Sequence, residues 1–163
     1  MITFSTLADK RFQALRASVL AYPRMHGYYI VDLVSIEHLR AIGYTEEAII
    51  DALYDYWNDD PIKPDPTYIP QDQTWQGDYA VSFDEAKELA IEVLVGGRAV
   101  GHTIDTIPPA LAEHFVTAFI DLFDTERRYY ARVGLGNREY VFLQGIVVTD
   151  PQKAGILWVV EGD

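Results

Sequence analysis

The chain has 163 residues, of which 49% are hydrophobic, 13% aromatic and 23% charged, with no cysteine and a formal net charge of −12. That size and balance fit one compact domain and exclude a disordered chain, while the absence of cysteine excludes disulfides, thiol nucleophiles and thiolate-bound metals. Apolar runs such as Ile156 to Val160 fall far short of the ~18–20 residues that cross a membrane, and Met1 to Lys10 lack a secretion-signal layout, which points to the cytoplasm.

Residues 6–21 carry Phe12, Leu15, Val19 and Leu20 at helical spacing, with Thr6 and Asp9 placed to cap the start. Pro23 and Gly27 break this helix, and Tyr28 to Val31 are β-prone enough for a short strand. Ser35 to Ile42 predict a short helix stopped by a left-handed Gly43. A second helix runs from Thr45 to about Trp57, with Ile49, Leu53, Tyr56 and Trp57 on its apolar side. Asn58 to Gly77, with four prolines, reads as a long loop in which Tyr68 and Trp75 anchor on the core.

Ser82 with Glu85 makes a capping box opening a helix whose buried side is Phe83, Ala86, Ala90, Val93 and Leu94. Pro108-Pro109 start a further helix to about 123, striped by Leu111, Phe115, Ala118, Phe119 and Leu122. The last third is rich in β-branched and aromatic residues at 128–133, 139–148 and 156–160, with turns at Gly134 to Asn137 and Asp150 to Lys153. This predicts a three-stranded antiparallel meander over about 127–161. The expected fold is α+β: a single domain over 1–163, its helical part at about 5–123 packed on one face of that C-terminal sheet.

The corner Leu39-Arg-Ala-Ile-Gly-Tyr-Thr-Glu-Glu-Ala-Ile-Ile-Asp-Ala-Leu53 resembles the first two helices of ubiquitin-associated-type modules, in which a Gly-aromatic pair turns the chain. The likeness covers about 20 residues and is followed by Pro61, Pro64, Pro66 and Pro70 instead of a third helix, so it implies no function. Offsetting the chain by 76 residues aligns Thr6 with Ser82, Asp9 with Glu85, Ala14 with Ala90, His26 with His102 and Glu37-His38 with Glu113-His114, the outline of a weak internal repeat.

Charge is the most informative feature. Residues 44–97 hold 13 acids against Lys63 and Lys87, whereas the remainder is nearly balanced at 12 acids and 11 bases. Arg127, Arg128, Arg132 and Arg138 cluster near the C-terminus. Such a field repels nucleic acid and anionic membrane and favours a basic partner. Within the acidic third, Glu47, Asp51 and Asp55 form one four-residue-spaced row, and Asp84, Glu88 and Glu92 another. Each like-charged pair at that spacing costs ~0.2–0.5 kcal/mol. The first-turn acids are offset by the positive helix N-terminus; Asp51, Asp55, Glu88 and Glu92 lie beyond its reach.

These rows, with Asp59, Asp60, Tyr56 and Trp57 beside them, are the candidate partner-binding residues. The function they suggest is a non-enzymatic protein-binding protein, an acidic inhibitor or immunity-type factor engaging a basic protein surface, in its most specific form a nucleic-acid mimic. A row supplies one charge per ~6 Å, against one per ~1.7 Å for duplex DNA, so mimicry needs at least two adjacent rows. The alternative is a small hydrolase or transferase with an acid/base site assembled from distant residues. Nucleophile-elbow, phosphate-loop, dinucleotide and His-Glu-x-x-His motifs are all absent, so no catalytic residue is assigned. No cofactor and no metal ligands are assigned either: Asn58 to Asp60 and Asp65 lack the calcium-loop pattern, and His26, His38, His102 and His114 lack zinc spacing.

Overall fold

A computed structural model describes residues 2–22, 27–58, 80–96, 107–137 and 141–162. The element order is α1 (Lys10–Leu20), β1 (Gly27–Ser35), α2 (Glu37–Ala41), α3 (Glu46–Asn58), α4 (Phe83–Val95), α5 (Pro109–Ile120), β2 (Tyr129–Asn137), β3 (Val141–Thr149) and β4 (Lys153–Gly162). Local chemistry accounts for most of these boundaries. The Asp9 carboxylate accepts from the Phe12 amide (2.9 Å) and starts α1 at Lys10, so the predicted start at Thr6 is four residues early. Gly43, at φ 92°, ends α2. Thr45 Oγ1 accepts from Ala48 N–H at 3.2 Å ahead of α3, and the Ser82–Glu85 capping box forms as expected.

The architecture is α+β, and its sheet is four-stranded and antiparallel in the order β1-β4-β3-β2. The short strand expected at 28–31 is therefore a full member of the sheet, pairing Gly27–Ser35 against Lys153–Glu161. The residues expected to turn between the first two strands of the meander, Gly134 to Asn137, instead lie inside β2, opposite Gln144 to Val141.

The expected one-sided packing is corrected too: helices cover both faces of the sheet. One core joins Tyr29, Val31, Leu33, Ile146, Val148, Leu157 and Val159 to buried residues of α1, α4 and α5. The other joins Ile30, Val34, Val147, Ala154, Ile156 and Trp158 to Phe4, Leu39, Ile49, Ile50 and Leu53. Alternate residues of one strand point to opposite faces, so α1, α4 and α5 form one outer layer and α2 with α3 the other. Phe83 and Leu20, expected on buried stripes, are 43% and 46% exposed; each lies at a helix terminus, and Phe83 meets the Tyr130 ring edge-on at 5.6 Å.

Two glycines set how closely the layers approach. A Cβ on Gly155 would meet Phe123 Cζ at 2.5 Å and Phe119 Cζ at 2.8 Å, so β4 lets α5 and its exit rest directly on backbone. On the other face, a Cβ on Gly145 would run into the Leu157 carbonyl oxygen and lie 2.7 Å from Trp158 Cδ1, so the buried indole lies over this glycine. The sheet's outer strands are partly covered as well. Thr6 bridges Val34 beside β1 and Ala80 bridges Ala131 beside β2, which blunts edges that would otherwise recruit other strands.

Candidate partner-binding surface

Helix α3 buries Ile49, Ile50 and Leu53, and helical geometry turns Glu47, Asp51 and Asp55 to the opposite side, where all three are exposed. Helix α4 buries Ala86, Ala90, Val93 and Leu94; Asp84 and Glu88 are exposed and Glu92 is half-buried. The two acidic rows therefore form, but on opposite layers of the molecule. The two rows are not adjacent, as nucleic-acid mimicry would require, because the helices carrying them cover different faces of one sheet. Asp59 and Asp60 lie outside the described residues, as do the side chain of Trp57, the loop residues Tyr68 and Trp75, and His26 and His102.

The rows also differ in their surroundings. No base occurs within α3. In α4 the row is interrupted by Lys87, whose Nζ lies 3.4 Å from Glu113 on α5. Tyr56, named as a contact residue from the sequence, is half-buried on the α2/α3 layer: its hydroxyl donates to the Phe4 carbonyl (3.2 Å) and its ring meets the Phe4 ring edge-on at 5.3 Å. It holds the N-terminal segment onto α3. Tyr54, half-buried on the same helix, has its phenol pushed up to about 12, first by burial and then by the neighbouring Asp55 charge.

Glu46 begins the same helix but belongs to a different constellation. Its carboxylate is 2.8 Å from Arg40 Nη1 and accepts from Thr149 Oγ1 at 2.8 Å. Arg40 also donates through Nε and Nη2 to the Asp150 carbonyl oxygen, at 3.1 and 2.7 Å. Asp150, 2% exposed, is the hub. Its carboxylate accepts from the Gln152 and Lys153 amides (both 2.8 Å), from Lys153 Nζ (2.9 Å) and from the Asp124 amide (3.0 Å). Burial alone would raise this carboxyl; the bonds from Asp124 N–H, the Lys153 ammonium and the two turn amides outweigh it and hold it below the usual carboxylate range. Asp124 is held low as well, by the Glu126 amide and then by Arg127.

From the sequence Asp150 is expected only as a turn residue. The signal available was the Asp-Pro pair with a lysine three residues after the aspartate, the composition of a side-chain-stabilised turn. Asp32 is a second such acid outside the predicted rows, set inside the apolar stretch Tyr29-Ile-Val-Asp-Leu-Val34. It is 3% exposed and accepts from Thr6 Oγ1 (2.7 Å) and from the outward-facing Leu33 amide (2.8 Å), securing the edge of β1.

The donors to the Asp150 and Asp32 carboxylates are backbone amides, the Thr6 hydroxyl and the Lys153 ammonium, and the Asp150 carbonyl takes the Arg40 guanidinium, the makings of a joint between elements. His38 and His114 are exposed on opposite layers, the former 6.2 Å from the Phe4 ring. Among the described residues no group of three histidines or carboxylates is placed to hold a metal, and no helix is long and apolar enough to cross a membrane. Of the C-terminal arginines, Arg127 pairs with Asp124 at 3.2 Å, Arg128 donates to the Phe123 carbonyl (3.0 and 3.3 Å), Arg132 is exposed, and Arg138 lies outside the described residues.

The corner at Leu39–Leu53 folds as two helices around Gly43. The 76-residue offset equates α1 with α4, which share a layer, but also α2 with α5, which lie on opposite faces of the sheet. Compared with known proteins, the chain matches no protein-family model, no curated protein and no solved structure.

Proposed function

We infer that this is a non-enzymatic protein-binding protein that engages a basic partner surface, in the manner of an acidic inhibitor or immunity-type factor, through the outer side of α3. The observation that carries the reading is the exposed row Glu47, Asp51 and Asp55 on a helix without a single base. Carboxylates held in a row on a helix anchored by a buried face form a pre-arranged negative field, which speeds encounter with a cationic surface and selects against anionic ones. Asp84 and Glu88 form a second, weaker face with Lys87 between them. Because the rows lie in opposite layers, their charge densities do not add within one groove. The reading is therefore a protein-binding face and not an imitation of duplex DNA.

The test is capture of a basic protein from the source organism with the full chain, under a salt titration. Wild-type capture should weaken as salt screens the field. A variant carrying Glu47→Gln, Asp51→Asn and Asp55→Asn should lose it, while Asp84→Asn with Glu88→Gln should retain it. Capture that ignores both salt and the α3 substitutions would end the proposal.

A further inference from the structure

The Asp150 turn links elements that the sheet keeps apart. On one side are α2 and the start of α3, reached through Arg40 and Glu46; on the other is the segment leaving α5, reached through the Asp124 amide. The chain of contacts has no gap. Thr149 Oγ1 donates to Glu46, Glu46 pairs with Arg40, Arg40 donates to the Asp150 carbonyl, the Asp150 carboxylate accepts from Asp124 N–H, and the Asp124 carboxylate accepts from Glu126 N–H (2.9 Å) and Arg127. The core adds a second connection: Lys153, bonded to Asp150, stands 5.6 Å from the Phe123 ring centre, and Phe123 is packed in the α1/α4/α5 core.

We propose that this turn is a coupling device that makes the α2–α3 corner and the α5–β2 connection, in opposite layers, a single cooperative opening unit. The physical reason is that one buried carboxylate and its own carbonyl serve both layers. If either side lets go, the remaining donors face a displaced acceptor in a site with little water to replace it. Local openings in folded proteins follow such cooperative units rather than single hydrogen bonds. A load placed on α3 is then felt at the exposed Arg127 on the far side of the sheet. The coupling is independent of the partner-binding reading, and its test uses no partner.

Native-state hydrogen exchange on the full chain tests it. Arg40→Met removes donors only on the α2 side and leaves every atom that bonds the Asp124 and Glu126 amides in place. It is expected to speed exchange at those two amides by about tenfold relative to Leu157, a buried β4 residue whose amide reports global unfolding. Asp150→Asn, which loses the Lys153 ion pair, should speed exchange on both sides together. If Arg40→Met speeds exchange only around residues 37–48, the two layers open separately and the proposal fails. It fails equally if exchange rises by the same factor at Asp124, Glu126 and Leu157, because the network then contributes only global stability. Should Asp150→Asn not fold, the Arg40→Met result decides by itself.

Discussion

The β3–β4 turn and the outer side of α3 both carry aspartates in an acidic protein, yet they put the same carboxylate to opposite uses. Asp150 is buried, accepts from three backbone amides and a lysine, and ties two layers together. Asp51 and Asp55 are exposed and lie on a row of like charge that slightly opposes its own helix. An acid's contribution therefore depends on its burial and its place in the fold, and the net charge of −12 sums groups in unlike surroundings.

The largest effect that could break this comparison is expected at Asp150. Replacing it with Ala strands Lys153 Nζ and three amides, and should cost ~3–5 kcal/mol in urea unfolding; a loss below ~1 kcal/mol would place Asp150 with the surface acids. The pH dependence has a defined sign. The folded carboxyl lies below its unfolded value near ~3.9, so its stabilisation is full above that value and disappears as pH falls through the folded one. Asp150→Asn should flatten this acid-side slope.

Next come the glycines that let the layers close on the sheet. Gly145→Ala forces a methyl into a backbone carbonyl and should cost on the order of 3 kcal/mol. Gly155→Ala meets aromatic ring tips that can shift, and should cost ~1–3 kcal/mol. Thermal unfolding of the two variants side by side checks the order.

At alkaline pH the α3 face has its own signature. The Tyr54 phenol is pushed up to about 12 from 10.0, so the fold favours its neutral form. That contribution is intact below ~10 and is lost as pH rises toward the folded value; Tyr54→Phe should remove this part of the base-side decline. The smallest effect is expected on the α3 row. Neutralising Asp55, which lies beyond the first turn of α3, removes one like-charge pair and should raise stability by about 0.2–0.5 kcal/mol at low salt, with the gain shrinking as salt is added.

Much of the fold was legible because it is locally encoded. Asp9, Gly43, Thr45, Ser82 with Glu85, and Pro109 mark helix ends through contacts within a few residues. The two-layer arrangement had a readable trace as well. Gly145 to Val148 and Ala154 to Val160 are apolar at nearly every position, where a sheet covered on one side alternates. The candidate site was legible only as two rows. Their separation was not, since the periodicity of α3 and α4 states that each helix buries a stripe and says nothing of which face receives it.

The sequence alone determined the helices, their caps, the acidic rows and the apolar strands, because hydrogen-bond capping and side-chain period act over a few residues. Tertiary structure decided the rest: that Gly27–Ser35 completes the sheet beside β4, that α3 and α4 lie on opposite faces, and that Asp150 stands where both layers meet. Those outcomes depend on contacts between residues far apart in the chain, where packing against a shared sheet, and not any local preference, sets which side chains become neighbours.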